Sequence, residues 1–154
     1  MDNELVKMSD DIAQTDSMYS NVLNSIRHII EQNKRELLSA ANQIIVRTYW
    51  QIGQQIFEVE QKGESRAKYG KSLLKNISTE LINDYGSGFS ERNLAYARKL
   101  YMTFPDYTIL QTRLQNLTWS HLCLIISVEN SDARLWYAQE AQQEMWGVRT
   151  LQRI

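Results

Sequence analysis

The sequence contains very little cysteine, proline and histidine. Its 154 residues include one Cys, one Pro, two His and six Gly. Cys123 has no second cysteine to pair with, so an internal disulfide framework is excluded. Together with His28 and His121, this cysteine provides too few soft ligands for a structural zinc site. A chain of this length buries enough surface to fold without such cross-links, and the composition is typical of a reducing cytoplasm.

Long apolar runs and a basic leader are also missing. No stretch approaches the roughly 20 apolar residues that a membrane span requires. The first five residues include two acids, at Asp2 and Glu4, where a secretion signal would be basic. We therefore expect a cytoplasmic protein with no membrane association.

A net charge is almost absent, but the charges are unevenly distributed. The formal net charge at pH 7 is −1. Residues 1–16 contain five acids and one base, whereas residues 62–99 contain eight bases and four acids. The acidic start predicts a disordered tail over residues 1–17. The basic middle is compatible with either a solvated helix face or a surface for a polyanion such as DNA.

A long amphipathic helix is predicted over residues 18–61. Apolar residues recur there mostly at steps of three and four, with no Pro and no Gly before Gly53. At about 1.5 Å per residue, this helix exceeds the dimensions of one compact domain, so it must bend or extend into a partner. We predict self-association through this helix, with Asn42 as a polar residue that can fix the register. The predicted oligomerisation residues are Ile26, Ile30, Leu37, Asn42 and Ile45.

Two further helices are predicted on either side of a glycine-rich turn. The first starts between Ser65 and Lys71 and ends at Gly86, a residue type suited to a helix C-cap. The second starts after the N-cap residue Ser90 and stops before Pro105. The pair forms a helix-turn-helix candidate at about residues 66–104.

The outer faces of these two helices carry basic and aromatic residues. At 100° per residue, the basic and aromatic residues of the second helix lie opposite its apolar stripe. On the first helix, three lysines cluster on one face. Arginine and lysine suit DNA recognition because they bind guanine edges and neutralise phosphates. Arg98 lies close to the apolar stripe, so we expect it to pair with an acid or a helix-terminal carbonyl. The predicted DNA-binding residues are Arg92, Tyr96, Lys99, Lys68, Lys71 and Lys75.

The C-terminal third is predicted to complete a helical bundle. Residues 106–117 are compatible with a short strand, a wing or an irregular link. An apolar, buried segment is predicted from Leu122 to Val128, and Ser131 is expected to cap another helix. The predicted fold is therefore all-α, with the long helix and a bundle over residues 18–146. Residues 147–154 start a helix without a C-cap, and we expect the natural protein to continue there.

No catalytic constellation is found in the sequence. Glu60-Gln61-Lys62 and Pro105-Asp106 match the E-x-K and P-D elements of magnesium-dependent nucleases, but in reversed order, and we interpret both as chance matches. His28 and His121 are interpreted as surface or structural histidines. Phosphate-loop, dinucleotide and hydrolase-elbow motifs are absent. We expect no enzyme activity, cofactor or metal site in this chain.

Several separated motifs follow one another along the chain. They are Asn42, Tyr49-Trp50-Gln51-Ile52-Gly53, Arg66-Ala67-Lys68-Tyr69-Gly70, Gly88-Phe89-Ser90-Glu91-Arg92-Asn93-Leu94, Leu117-Thr118-Trp119-Ser120-His121 and Trp146-Gly147-Val148-Arg149. In this order they resemble the N-terminal domain of the YhcG-like family of bacterial proteins, over about residues 19–154. The resemblance implies an all-helical domain that precedes a PD-(D/E)xK nuclease domain. That nuclease half, and the Mg²⁺ ion that it implies, have no counterpart among these residues.

The residues and the resemblance together predict a DNA-binding and oligomerisation domain of a longer nuclease, non-catalytic by itself. The alternative is a protein-interaction scaffold that dimerises through the first helix and positions the nuclease or recruits other proteins of a nucleic-acid-processing system. Most of the large aromatic and aliphatic motif residues are expected to be core, and Gly53 and Gly70 are expected to permit close helix approach.

Overall fold

The computed structural model describes residues 2–62 and 72–154, and every regular element in these ranges is helical. The all-α prediction is confirmed. A 3₁₀ turn at Ser87–Phe89 joins the second and third helices. The seven α-helices within the described residues are α1 (Asp2–Gln61), α2 (Leu73–Tyr85), α3 (Glu91–Thr103), α4 (Tyr107–Thr112), α5 (Trp119–Ile126), α6 (Ser131–Gln143) and α7 (Val148–Arg153).

The chain divides into two units, residues 1–40 and residues 41–154. In the first unit, α1 begins at Asp2, whereas the sequence predicted a disordered tail over residues 1–17. The acids Asp2 and Glu4 lie in the first turn, where they interact favourably with the helix dipole, and neither Pro nor Gly interrupts the segment. Nearly all side chains of this unit are exposed.

The second unit is a small helical bundle with α5 at its centre. The predicted burial of this apolar segment is confirmed, since Leu122, Ile125 and Ile126 are almost fully buried. Helices α3, α6 and α7 each pack against α5. Helix α1 contributes the buried residues Val46 and Ile56, and its Trp50 packs against the cluster that contains Val46. Burying one such aliphatic side chain contributes about 1.5–3 kcal/mol, so these three side chains of α5 stabilise the bundle substantially.

Residues 107–112 form the helix α4. The prediction of a strand, a wing or an irregular link over residues 106–117 is therefore wrong for residues 107–112. Asp106 caps the helix by accepting hydrogen bonds from the Thr108 amide and hydroxyl at 3.0 and 2.6 Å. Leu110 is then buried in the core. A local cap and one anchoring side chain therefore override the β-propensity of the Tyr-Thr-Ile sequence.

In the second unit, the helix ends predicted at Gly86 and Ser90 are confirmed, and one predicted cap is shifted by a residue. Gly86 caps α2 at a φ of 105°, and Ser90 caps α3 by accepting from the Asn93 amide at 3.2 Å. At α6 the capping side chain is Asn130, which accepts from the Ala133 amide, whereas Ser131 was expected in this role. The predicted start of the second helix, between Ser65 and Lys71, lies outside the described residues.

Candidate nucleic-acid interface

Helix α3 is held in the bundle by a close crossing with α1. A Cβ added to Gly53 would lie 2.0 Å from the Ala97 carbonyl oxygen. The two helix backbones therefore touch at this point, which only glycine allows. The sequence prediction that Gly53 permits close helix approach is confirmed; Gly70, for which the same was expected, lies outside the described residues.

An ion pair lies next to this crossing. Arg98 Nη1 lies 2.7 Å from Glu60 Oε1, and both side chains are about one-third exposed. Arg98 therefore pairs with an acid, as predicted. The carboxylate of Glu60 is therefore engaged in a contact between α1 and α3.

The turn between α2 and α3 is fixed by hydrogen bonds from three directions. Tyr49 Oη donates to the Gly88 carbonyl at 2.6 Å, and Asn93 Nδ2 donates to the same oxygen at 3.0 Å. Ser78 Oγ, buried on α2, donates to the Phe89 carbonyl at 2.8 Å. Because α1, α2 and α3 all contribute donors, the first turn of α3 is rigidly positioned.

The face of α3 that points away from the core is basic and aromatic. Leu94, Ala97 and Leu100 on the inner face have no exposed surface, whereas Arg92 and Lys99 are exposed and Tyr96 is half-buried. The outer residues line a shallow depression of about 390 Å³, together with Ala95, Arg98 and Met102. The structure therefore brings together three of the six predicted DNA-binding residues.

Arg92 and Tyr96 interact with each other on this face. Arg92 Nη2 donates to Tyr96 Oη at 3.4 Å, and the guanidinium carbon lies 5.5 Å from the centroid of the ring. This hydrogen bond lowers the pKa of Tyr96 and raises that of Arg92. The guanidinium keeps most of its N–H donors available, because only one is directed at the phenol.

The three lysines predicted on α2 have different outcomes. Lys75 is exposed on α2, the helix that packs against α3. Lys68 and Lys71 lie outside the described residues. Met102, which was not among the predicted residues, is 56% exposed and extends the α3 face by one turn. Its spacing of three from Lys99 was the signal that could have identified it.

The predicted oligomerisation residues lie on α1 in both units. Ile26, Ile30 and Leu37 are exposed along one face of the helix in the first unit. Asn42 and Ile45 belong to the second unit. There Ile45 is 44% exposed, whereas Asn42 is half-buried and lies one turn before the buried Val46. The assignment of these five residues to oligomerisation stays a prediction.

The aromatic residues of the sequence motifs pack between helices of the second unit. Tyr49 stacks on Trp119 with ring centroids 4.1 Å apart. Trp50 Nε1 donates to the Phe104 carbonyl at 2.8 Å and contacts the rings of Tyr101 and Tyr107. These rings are half-buried rather than fully buried, because each sits at the edge of a helix crossing. The motif residues therefore define the fold of the domain.

The two histidines have no catalytic arrangement. His121 is buried and completes a capping box with Thr118, and its Nε2 lies 2.7 Å from the Trp146 carbonyl oxygen. It ties the start of α5 to the segment before α7, a structural role that the sequence analysis predicted. His28 is exposed on α1.

The potential metal ligands within residues 2–62 and 72–154 are dispersed. These ranges contain no cluster of three or more His, Cys, Asp or Glu side chains able to hold a metal ion. The carboxylates of the E-x-K and P-D matches are engaged elsewhere, Glu60 with Arg98 and Asp106 with Thr108. The Mg²⁺ ion implied for the nuclease half therefore does not fit the described part of this chain.

No helix in residues 2–62 or 72–154 combines the length and apolar character needed to cross a bilayer.

Comparison with known proteins agrees with the resemblance seen in the motifs. The relative named "Putative nuclease YhcG", from Escherichia coli (strain K12), is 32% identical over 168 aligned residues. The alignment covers 90% of this chain and 45% of that protein, so the chain spans less than half the length of the relative and corresponds to its N-terminal part. No solved structure matches the chain. Residues 25–154 match the DUF1016 N-terminal domain, and the chain belongs to this family.

Proposed function

We propose that this chain is the DNA-binding and assembly domain of a longer nuclease, with catalysis located outside these residues. The observation that carries the proposal is the outer face of α3, where Arg92, Tyr96 and Lys99 surround one depression. The relative is named as a nuclease, and this supports a role for the chain beside nuclease chemistry.

The local architecture supports DNA reading by α3. Helices α2 and α3 are joined by a short turn that three hydrogen bonds hold in place. In DNA-binding helix pairs, the second helix presents its N-terminal residues to base edges while the neighbouring helix contacts phosphates. Arg92 lies in the first turn of α3, so it is the proposed base reader. Lys99 and Lys75 are the proposed phosphate contacts.

The interaction between Arg92 and Tyr96 supports the same assignment. A guanidinium held by a phenol keeps a more defined direction than an isolated exposed arginine, and less conformational entropy is lost when it binds. Its remaining donors match the O6 and N7 acceptors of guanine. The lowered pKa of Tyr96 reflects an oxygen that accepts from Arg92, so the pair acts as one donor group.

Binding of a labelled DNA duplex, followed by fluorescence anisotropy over a salt series, tests this proposal. Phosphate contacts release counterions, so we expect Lys99→Ala to weaken binding to all duplexes equally and to reduce the salt slope by roughly one unit. Arg92→Ala is expected to weaken binding to a preferred duplex by about 5- to 150-fold, and less for other sequences.

Arg149→Ala is the matched control, because Arg149 is an exposed base on α7. It should bind DNA as the parent does, and all variants should keep the parent's melting temperature. Unchanged binding by the Arg92→Ala/Lys99→Ala double variant would overturn the DNA-binding assignment.

A second candidate function, self-association as a scaffold, is favoured by α1. Most apolar side chains that α1 carries within the first unit are exposed. An exposed apolar surface of this extent is rare in a protein that has no partner there. We propose that this helix assembles copies of the chain and thereby positions the nuclease. Sedimentation velocity at micromolar concentrations tests this point: the parent should form dimers, and Ile26→Glu should shift the equilibrium to monomer. A monomeric parent would exclude the scaffold function.

A further inference from the structure

We propose that the first unit pairs with a second copy of itself as an antiparallel helix pair, centred between Asn21 and Val22. This inference rests on the proposed self-association and specifies its partner and its orientation. The surface involved is a stripe on α1, hereafter the α1 stripe. It consists of Leu5, Met8, Ile12, Tyr19, Val22, Ile26, Ile30 and Leu37, which are 47–72% exposed.

The α1 stripe follows one straight face of the helix. Its members are spaced by three, four or seven residues, so at 100° per residue they stay within about 60° of a common line. From Leu5 to Leu37 the stripe is about 50 Å long at 1.5 Å per residue. An uninterrupted face of this length suits another helix of equal length, which a second copy supplies.

The charges beside the stripe select a second copy in the antiparallel direction. Glu4, Lys7, Asp11 and Glu36 lie on one flank of the stripe, and Asp2, Asp16, Arg27, Glu31 and Lys34 lie on the other. When two copies run antiparallel, each flank meets the same flank of the partner. The proposed centre then places Lys7 level with Glu36 of the other copy. It also places Asp16 level with Arg27, and symmetry repeats both contacts.

A parallel, in-register pair would have the opposite consequence. There each flank meets the other flank, with contacts between residues about five positions apart. Asp11 of one copy would then face Asp16 of the other, and this repulsion would occur twice. Asp11 and Asp16 therefore disfavour the parallel pair, whereas in the antiparallel pair Asp16 lies level with Arg27 instead.

Charge exchange in the full chain tests the contacts. We expect Lys7→Glu and Glu36→Lys each to weaken the dimer about tenfold at low salt, because each converts two attractive pairs into repulsive ones. The double variant Lys7→Glu/Glu36→Lys should recover the parent's affinity, and high salt should reduce all of these differences. Arg149→Glu, an equal charge reversal on α7, should leave the dimer unchanged. Failure of the double variant to recover would overturn the proposed register.

Disulfide trapping tests the direction independently. In a Cys123→Ser background, Met8→Cys and Asn33→Cys chains of different tagged mass are mixed and oxidised. The antiparallel pair predicts a mixed disulfide and no disulfide between two Met8→Cys chains. A dimer that instead traps two Met8→Cys chains overturns the antiparallel arrangement while leaving self-association in place. A monomeric parent overturns both.

Discussion

The Gly53→Ala substitution tests whether backbone contact between α1 and α3 holds the bundle together. The added Cβ would lie 2.0 Å from the Ala97 carbonyl oxygen and 2.5 Å from its carbon. Both are backbone atoms inside α3, so no side-chain rotation relieves the overlap. Reaching an ordinary contact of 3.4 Å requires the two helices to separate by about 1.4 Å.

The expected magnitude is the difference of two effects. Overpacking costs about 1–3 kcal/mol and more when only backbone can move, whereas Gly→Ala in a helix gains about 1 kcal/mol. We therefore expect Gly53→Ala to lower the free energy of unfolding by about 2 kcal/mol or more. Urea titration followed by circular dichroism and tryptophan fluorescence measures this value.

Gly147→Ala provides the matched control for this measurement. A Cβ at Gly147 meets nothing within 4 Å, and its φ of −71° is ordinary for alanine. The alanine stabilises the protein by reducing the entropy of the unfolded chain and destabilises it as a weaker N-cap residue. These effects oppose each other, so the free energy of unfolding should change by no more than about 0.5 kcal/mol. If Gly53→Ala were as stable as Gly147→Ala, the close crossing would not be the determinant of α3 position.

Three further predictions concern a hydrogen bond, a thiol and the absence of cleavage. Trp50→Phe should lower the free energy of unfolding by about 1–3 kcal/mol, because the Phe104 carbonyl loses its indole donor. The control Trp136→Phe removes a half-exposed ring nitrogen and should change the free energy of unfolding little. Equal effects of the two substitutions in urea unfolding would contradict this prediction. Burial raises the pKa of the Cys123 thiol to about 11, so alkylation of the folded protein by iodoacetamide should remain slow at pH 8 and accelerate as the pH rises towards 11. In urea the thiol is exposed, and alkylation should accelerate about two pH units lower. Identical pH profiles for the folded and unfolded protein would disprove the burial effect. The chain alone should not cleave DNA with Mg²⁺, and cleavage that Glu60→Gln abolishes would show that the E-x-K match is functional.

Local features of the fold were predictable because they depend on residues close in sequence. The Gly86 cap, the Ser90 cap and the stop before Pro105 follow from backbone conformations that neighbouring residues impose. The outer position of Arg92 and Lys99 follows from helix periodicity once Leu94 and Ala97 are recognised as core. The pairing of Arg98 was predictable for the same reason, although its partner was not.

The error at α4 shows where local reasoning fails. The sequence from Tyr107 has strand propensity, and its helical state depends on Asp106 capping the first turn and on Leu110 finding a place in the core. The second condition involves the buried cluster that contains Val46 of α1, a residue more than 60 positions away in sequence. Propensity differences below about 1 kcal/mol are readily overridden by such burial.

By itself, the sequence determined that the chain is helical, where most helices begin and end, and which side of α3 is polar. These properties follow from periods of three and four residues and from single capping residues, and no distant partner is needed to define them. Only the tertiary structure decided which face of α1 packs inward. Residues 41–61 carry apolar side chains on more than one side, and Val46 and Gly53 face the bundle while Ile44 stays exposed. The choice depends on the close approach to Ala97, which requires a glycine at the crossing and a partner helix more than 40 residues away in sequence.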